Sequence, residues 1–396
     1  MPADQIHDSA GRSEAAPYTI EVISTEDGLS RLEADWNRFS EASSHPNAFM
    51  TYGWFRAWTR RLTADIGRER LQPFVLAIRH EDSIVGIAPL VRRVVSRFGF
   101  RVRKLEFPTI HADYNDLVLG ADSANQSEAV IEFLARTSEQ WDLADLRNLR
   151  DIGNSIAHIK AALARAGLSH RILPEGRRYP YFPINSPWPT MMKSKHLRFA
   201  RRAFVGFTEK SSEGFRLRIV ENPQSEPGLH EKLVAVEAQK FIGGKPTQPF
   251  LGEYRDVFRS LFDTLGPLGW ITAVLVEREG QLVAYRLLYR CGKKLWDYQT
   301  AYDHGFSDLS PGTVAICAAI DYGYEHGFDE FDFLTGEEPY KLRWTPDFRR
   351  TYRLLIWNRR GISRVRKFFY YDVKTTIHRL LRKKADHGVL PLRAPL

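Results

Sequence analysis

Ala273-Val-Leu-Val-Glu-Arg-Glu-Gly-Gln-Leu-Val-Ala284 reads as two strands joined by a turn at Arg278-Glu-Gly280. The same pattern stands earlier, as Val75-Leu-Ala-Ile-Arg-His-Glu-Asp-Ser-Ile-Val-Gly86, turning at Glu81-Asp82-Ser83. Each hairpin is followed by a predicted helix and a strand of the form aromatic-Asp-x-x-Asp-apolar. These strands are Trp141-Asp-Leu-Ala-Asp-Leu146 and Phe328-Asp-Glu-Phe-Asp-Phe333. Val283 lies 198 positions after Val85, and Asp332 lies 187 after Asp145. Two matches in one order, about 190 residues apart, indicate a duplicated domain rather than a solenoid.

Working outward, each half is a mixture of hairpins and a strand-helix-strand crossover. Hairpins pair antiparallel and the crossover pairs parallel. The expected fold is therefore α+β, with two tandem domains whose mixed sheets splay where the pairing changes, each flanked by helices. The first half takes strands at 18–24, 73–79, 84–94 and 143–149, with more near Leu105 and Leu117. Its helices fall around 29–42, from Trp54 onward, and at 128–139. The second half takes a basic helix at 193–204, strands at 215–220, 270–277, 281–290, 294–300 and 331–334, and helices at 228–240 and 313–326. The domains are placed at 18–185 and 186–360, after a loose, disordered tail at 1–17 and before a basic tail at 361–396.

Of the 396 residues, 43% are hydrophobic and 27% charged, which excludes a disordered chain. Cys291 and Cys317 are the only cysteines, too few for a disulfide framework or a cysteine zinc cluster. No His, Cys and carboxylate cluster has metal-ligand spacing, so no metal is expected. The polar start does not read as a secretory signal, and no apolar run is long enough to span a bilayer. The expected location is cytoplasmic, with peripheral contact to the inner membrane open. The net charge of +9 favours anionic partners: cofactor, lipid or nucleic acid.

Trp296–Trp344 holds the densest set of polar residues. Tyr298, Tyr302, Leu309-Ser-Pro-Gly312 and Thr313 lead into a helix, with Ser310 as N-cap and Pro311 as first helical residue. A helix N-terminus after a small-residue loop suits an anion, or the loop simply starts the helix. Phe331-Asp332-Phe333 and Gly336-Glu337-Glu338-Pro-Tyr340-Lys341-x-x-Trp344 follow.

With these residues the second half resembles the GNAT acyltransferase superfamily. Within it the chain resembles the CelD/BcsL branch of double-GNAT proteins, named for cellulose biosynthesis and related to the Fem aminoacyltransferases. The first half adds Phe49-x-x-Tyr52-x-Trp54-Phe-x-x-Trp58, Val85-Gly-Ile-Ala-Pro-Leu90 and His111-Ala-Asp113-Tyr-Asn-Asp116. The basic run Lys195–Arg202 also fits. The usual GNAT pyrophosphate loop, Gln/Arg-x-x-Gly-x-Gly/Ala, is missing, and Asp308-Leu-Ser-Pro-Gly312 stands in its place.

The resemblance implies acyl transfer to an amine from an acyl-CoA or acetyl-CoA thioester, or from aminoacyl-tRNA as in the Fem relatives. It implies an active cleft in or beside the second domain. Such chemistry needs a base for the ammonium proton, a positive group at the oxyanion and an acid for the leaving thiolate. Lys341 is the candidate for the positive charge. Tyr340, Tyr302 or Tyr298 is the candidate acid, and Asp332, Glu337 or Glu338 the candidate base. His111 and Asp113 join the catalytic set. Leu309, Ser310, Pro311, Gly312, Thr313 and Tyr298 are the candidates for holding coenzyme A. Asp332 has a twin in Asp145, so it can equally be structural. Glu337-Glu338 can equally be a solvated turn.

Lys193, Lys195, Arg198, Arg201 and Arg202 form one basic helix face, meeting phosphates or merely solvated. In the tail, Ile362, Val365, Phe369, Val373, Ile377 and Leu380 make an apolar stripe among Arg and Lys. That helix, over 361–384, suits an anionic membrane surface or the protein body. The acceptor amine is an amino sugar or a lipid amine such as a sphingoid base. An aminoacyl-tRNA-dependent enzyme and a catalytically silent scaffold are the other readings. Nucleic acid is disfavoured as a partner by the same resemblance: the coiled-coil insertion that helps the Fem enzymes place tRNA has no counterpart, since no long heptad run interrupts the second half.

Overall fold

The computed structural model describes residues 18–359, apart from 44, 68–69, 98–99, 109–111, 154, 192–193 and 240–249. His111, Lys193 and the tails 1–17 and 361–396, with the expected amphipathic helix, lie outside the described residues.

The first half runs β1 (Thr19–Ile23), α1 (Glu26–Ala42), α2 (Tyr52–Ile66), β2 (Leu71–His80), β3 (Ser83–Arg97), β4 (Phe100–Glu106), β5 (Val118–Leu119), α3 (Ser123–Arg136), β6 (Leu143–Arg150), α4 (Ser155–Arg165) and β7 (Ser169–Pro183). α5 (Trp188–Met191) and α6 (Ser194–Glu209) connect the halves. The second half runs β8 (Phe215–Val220), α7 (Leu229–Gln239), α8 (Arg255–Leu265), β9 (Ile271–Arg278), β10 (Gln281–Cys291), β11 (Lys294–Tyr302), α9 (Pro311–Glu325), β12 (Glu330–Asp332), α10 (Pro339–Leu342) and β13 (Phe348–Trp357).

Local chemistry explains several of these elements. Thr25 caps α1, its hydroxyl accepting from the Gly28 N–H at 3.1 Å, and Glu26 and Asp27 favour the positive end of the helix. Leu29, Leu32, Trp36 and Ser40 then bury one stripe of it. In α2, Gly53 allows α8 to come close: a Cβ there would sit 2.8 Å from Leu265 Cδ2. The paired hairpins share their turn geometry, with Glu81 at φ 53° and Glu279 at φ 51°, 198 positions apart like the strands around them.

The strands form one sheet in the order β1-β2-β3-β4-β6-β13-β7-β12-β11-β10-β9-β8, with β5 beside β3. β4 and β6 pair parallel over two residues, and β11 and β12 parallel over three. Each half is therefore splayed at its parallel step, as expected from the sequence. The centre of the sheet was not anticipated. β7 leaves the first half to pair antiparallel with β12, and β13 leaves the second half to pair antiparallel with β6. β7 and β13 pair with each other between them. Each half thus gives its last strand to the other, and the duplicated units are joined by a continuous ladder. Strands β7 and β13 and helices α4 and α8 had no place in the sequence reading. β7 carries Pro174, Pro180 and Pro183, and β13 carries Arg349, Arg350 and Arg353, so neither shows the clean apolar alternation of a strand.

One large core runs through both halves, from Trp36 and Trp58 to Leu261 and Tyr289. A second lies under α9 and α6, with Phe182, Phe207, Ile316, Ile320 and Phe331.

Candidate functional site

The fork between β11 and β12 organises the site. The strands pair from Lys294–Trp296 against Glu330–Asp332 and then part. Just beyond, β11 bulges against β10. Leu287 faces Gln299 and Leu288 faces Asp297, so Tyr298 has no partner on β10. The bulge sends Tyr298 into an aromatic cluster, its ring 5.7 Å from Trp54 and 4.7 Å from Tyr289. Thr300 and Tyr302 instead face a cavity of about 280 Å³ in front of α9.

That cavity gathers much of what the sequence singled out. Tyr302, Ser310, Pro311, Gly312, Thr313 and Tyr340 line it, with Trp344. Leu309 packs against the second core instead. Pro311 is the first helical residue, as expected. Ser310 occupies the N-cap position without acting as an N-cap side chain. It is left-handed, at φ 49°, and its hydroxyl makes no capping bond. Its carbonyl instead accepts from Thr313 at 2.8 Å and Val314 at 3.2 Å. A left-handed serine is strained by about 1–3 kcal/mol, the kind of strain that collects at functional sites.

Sequence reading missed the residue at the back of the cavity. Arg286, 2% exposed, sits mid-strand on β10 and donates to the Asp297 carboxylate. Among the described residues its Nε and Asp297 Oδ1 have no hydrogen-bond partner. Burial pushes the Asp297 carboxyl up, against the pull of Arg286 and Lys341. Burial also raises the Tyr340 hydroxyl, with the Asp297 charge adding to it. A signal was present, since an arginine interrupts the apolar run Leu282–Leu288.

On the other side of the fork, the two halves meet. Asp332 is 1% exposed and accepts three hydrogen bonds: from Tyr114 Oη at 2.8 Å, Arg349 Nη1 at 2.9 Å and the Leu334 N–H at 2.8 Å. Tyr114 belongs to the first half. Its neighbour Asp113 lies close enough to feel the charges of both Lys341 and Asp332, and the Thr335 N–H bonds to it. Burial raises Asp113 to about 7, opposed by Lys341 and reinforced by Asp332. Burial likewise raises Asp332 to about 6, against the Arg349 charge. Lys341 is buried, donating to Thr335 O at 2.5 Å and pairing with Glu338 at 3.1 Å. The turn holding these groups is left-handed at Leu334, φ 59°.

The structure therefore brings Asp113, Asp332 and Lys341 together and leaves Glu337 aside. Glu337 is exposed and lies 3.5 Å from Arg178. Residues 112–117 run as a loop with a single bridge at Asn115, not as a strand. Tyr298 faces away from the cavity and Tyr302 lines it. Among the described residues no group of three or more His, Cys, Asp or Glu is placed to hold a metal ion.

The twin of Asp332 is differently set. Asp145 accepts from Arg353 Nε at 2.7 Å and Nη2 at 2.9 Å, with Lys104 at 2.9 Å and Arg147 at 3.5 Å. Burial alone would raise its carboxyl. The hydrogen bonds and charges of Arg353 and Lys104 outweigh burial and hold it at about 2.

A splayed parallel pair, a bulged strand at the fork and a helix N-terminus facing it are matched in sequence as well. Residues 194–342 match the family model described as an acetyltransferase (GNAT) domain. A GNAT domain thus lies within a larger fold. That fold is similar to the crystal structure of FemX, at 13% identity and a TM-score of 0.57, over 82% of this chain and 96% of that one. It is equally similar to a conserved protein of unknown function from Bacteroides thetaiotaomicron, at 12% identity and a TM-score of 0.57, over 85% and 100% of the two chains. Among curated protein sequences none matches the chain. Among the described residues no helix is long and apolar enough to cross a membrane.

Proposed function

We propose that this GNAT chain, of the CelD/BcsL-like branch, is an N-acyltransferase. It moves an acyl group from a coenzyme A thioester to an amine in cell-envelope polysaccharide or lipid synthesis. One observation supports the reading: Asp113, which burial raises to about 7, feels the charges of Lys341 and Asp332, and Tyr340, next to Lys341, lines the α9 cavity. A base with that pKa works near neutral pH.

In this reading the thioester lies along the cavity with its anionic end toward the start of α9. The amine nitrogen attacks the carbonyl carbon, and the C=O electrons move onto oxygen. The Lys341 charge steadies that oxyanion. Asp113 takes the ammonium proton. When the C–S bond breaks, Tyr340 protonates the thiolate, and Tyr302 lines its path. Asp332 is a positioning residue: through Tyr114 it fixes the loop that carries Asp113.

The acceptor is an amino sugar or a lipid amine such as a sphingoid base. The test is thiol release from acetyl-CoA or palmitoyl-CoA by the purified protein, with glucosamine or sphinganine as acceptor. The reading expects release that needs both a thioester and an amine. Calorimetry showing no binding of either thioester, together with no release, would overturn it and bring aminoacyl-tRNA forward as donor.

A further inference from the structure

Outside the cavity, α6 makes an unusual surface. Lys195, Arg198, Arg201 and Arg202 of α6 and Arg343 after α10 line an open groove of about 1050 Å³. None of the five pairs with a carboxylate among the described residues, whereas surface arginines elsewhere, such as Arg61, Arg79 and Arg259, each hold one. Large apolar side chains stand exposed beside it: Phe199 lines the groove, Val205 lies two helical turns beyond Arg198 on α6, and Leu342 precedes Arg343. Phe199 is 39% exposed, Val205 49% and Leu342 45%. Arg343 ties the two elements together, its guanidinium 6.0 Å from the Phe199 ring. His196, Phe199 and Arg343 also line the cavity, so groove and cavity share a rim.

We infer that the α6–α10 face seats the protein on an anionic phospholipid bilayer, headgroups in the groove and Phe199, Val205 and Leu342 among the upper acyl carbons. The cavity then opens at the lipid surface. Charge alone would suit any polyanion. Aliphatic Val205 and Leu342 decide for lipid, because they offer nothing to a phosphate-sugar backbone and gain by leaving water. The arrangement is independent of the acyl donor, so its failure leaves thiol release in solution untouched.

The test uses the full chain, carrying Val205→Cys, Leu342→Cys or, as a control away from this face, Leu268→Cys, which replaces a side chain 42% exposed. The native Cys291 and Cys317 are both buried, so an environment-sensitive dye marks the new thiol. Vesicles of phosphatidylcholine with phosphatidylglycerol should shift the dye to the blue at 205 and 342 and not at 268. Pure phosphatidylcholine should shift none. The pair Arg198→Gln and Arg202→Gln, which alters exposed side chains and should melt like wild type, should weaken vesicle binding about 25-fold, at about fivefold per charge. Co-flotation without a shift at 205 and 342 would overturn the inference and assign binding to another segment. So would failure to bind anionic vesicles, or a shift at 205 and 342 on adding RNA instead.

Discussion

Asp145 and Asp332 hold the same place in the two halves, each on the strand after the crossover helix and each 1–2% exposed. Both are met by arginines of a single strand, since Arg353 and Arg349 stand four residues apart on β13. Their surroundings then part. Asp145 faces Arg353, Lys104 and Arg147 and stays ionised down to about 2. Asp332 shares its one arginine with Glu330, takes a tyrosine hydroxyl from the other half and rises to about 6. The matched strands supply two matched carboxylates. Arg353, Lys104 and Arg147 lock the first in its charged form, and a single shared arginine leaves the second open to protonation near pH 6.

Breaking the locked copy should have the largest effect. Asp145→Asn takes from Arg353 its two-bonded carboxylate, while Lys104 keeps Glu106, and should cost about 3 kcal/mol of folding stability, read by denaturant melts. Turnover per folded molecule should stay near wild type. The sign follows from the lowered carboxyl: its stabilisation is complete above about pH 4 and is lost as pH falls through about 2. The wild type should therefore lose more stability than the variant below pH 4. In the open copy, Lys341→Met should lower turnover about 10²–10³-fold. A smaller change in thermal midpoint than for Asp145→Asn would keep the two copies distinct. Tyr114→Phe removes one hydrogen bond to Asp332 and should cost about 1 kcal/mol in stability, with a fall in kcat that exceeds any change in KM. Glu337→Gln, at an exposed pair, should move neither stability nor rate beyond about 0.5 kcal/mol.

The hairpins and the two Asp-bearing strands were legible because short-range patterning specifies them. Lys341, Asp332 and Asp113 were legible as residue types in motif positions. Their meeting was not, since it depends on β7 and β13 crossing between the halves, and those strands carry prolines and arginines where a strand signal needs apolar alternation. The Ser310 side chain misled for a related reason. Ser-Pro-Gly is good helix-start chemistry, but the tight turn at 304–309 before it forces a left-handed serine. Arg286 and Asp297 became a pair only through the β10–β11 register.

The central claim is that Asp113, reaching over from the first half, takes the proton in the second. The most direct measurement is the pH profile of kcat/KM for amine acylation in wild type and Asp113→Asn. The wild type should show a rising limb with an apparent pKa near 7, the value to which burial lifts Asp113. The variant should lose about 10²–10⁴-fold in rate together with that limb. A variant that keeps both the rate and the limb would contradict the claim.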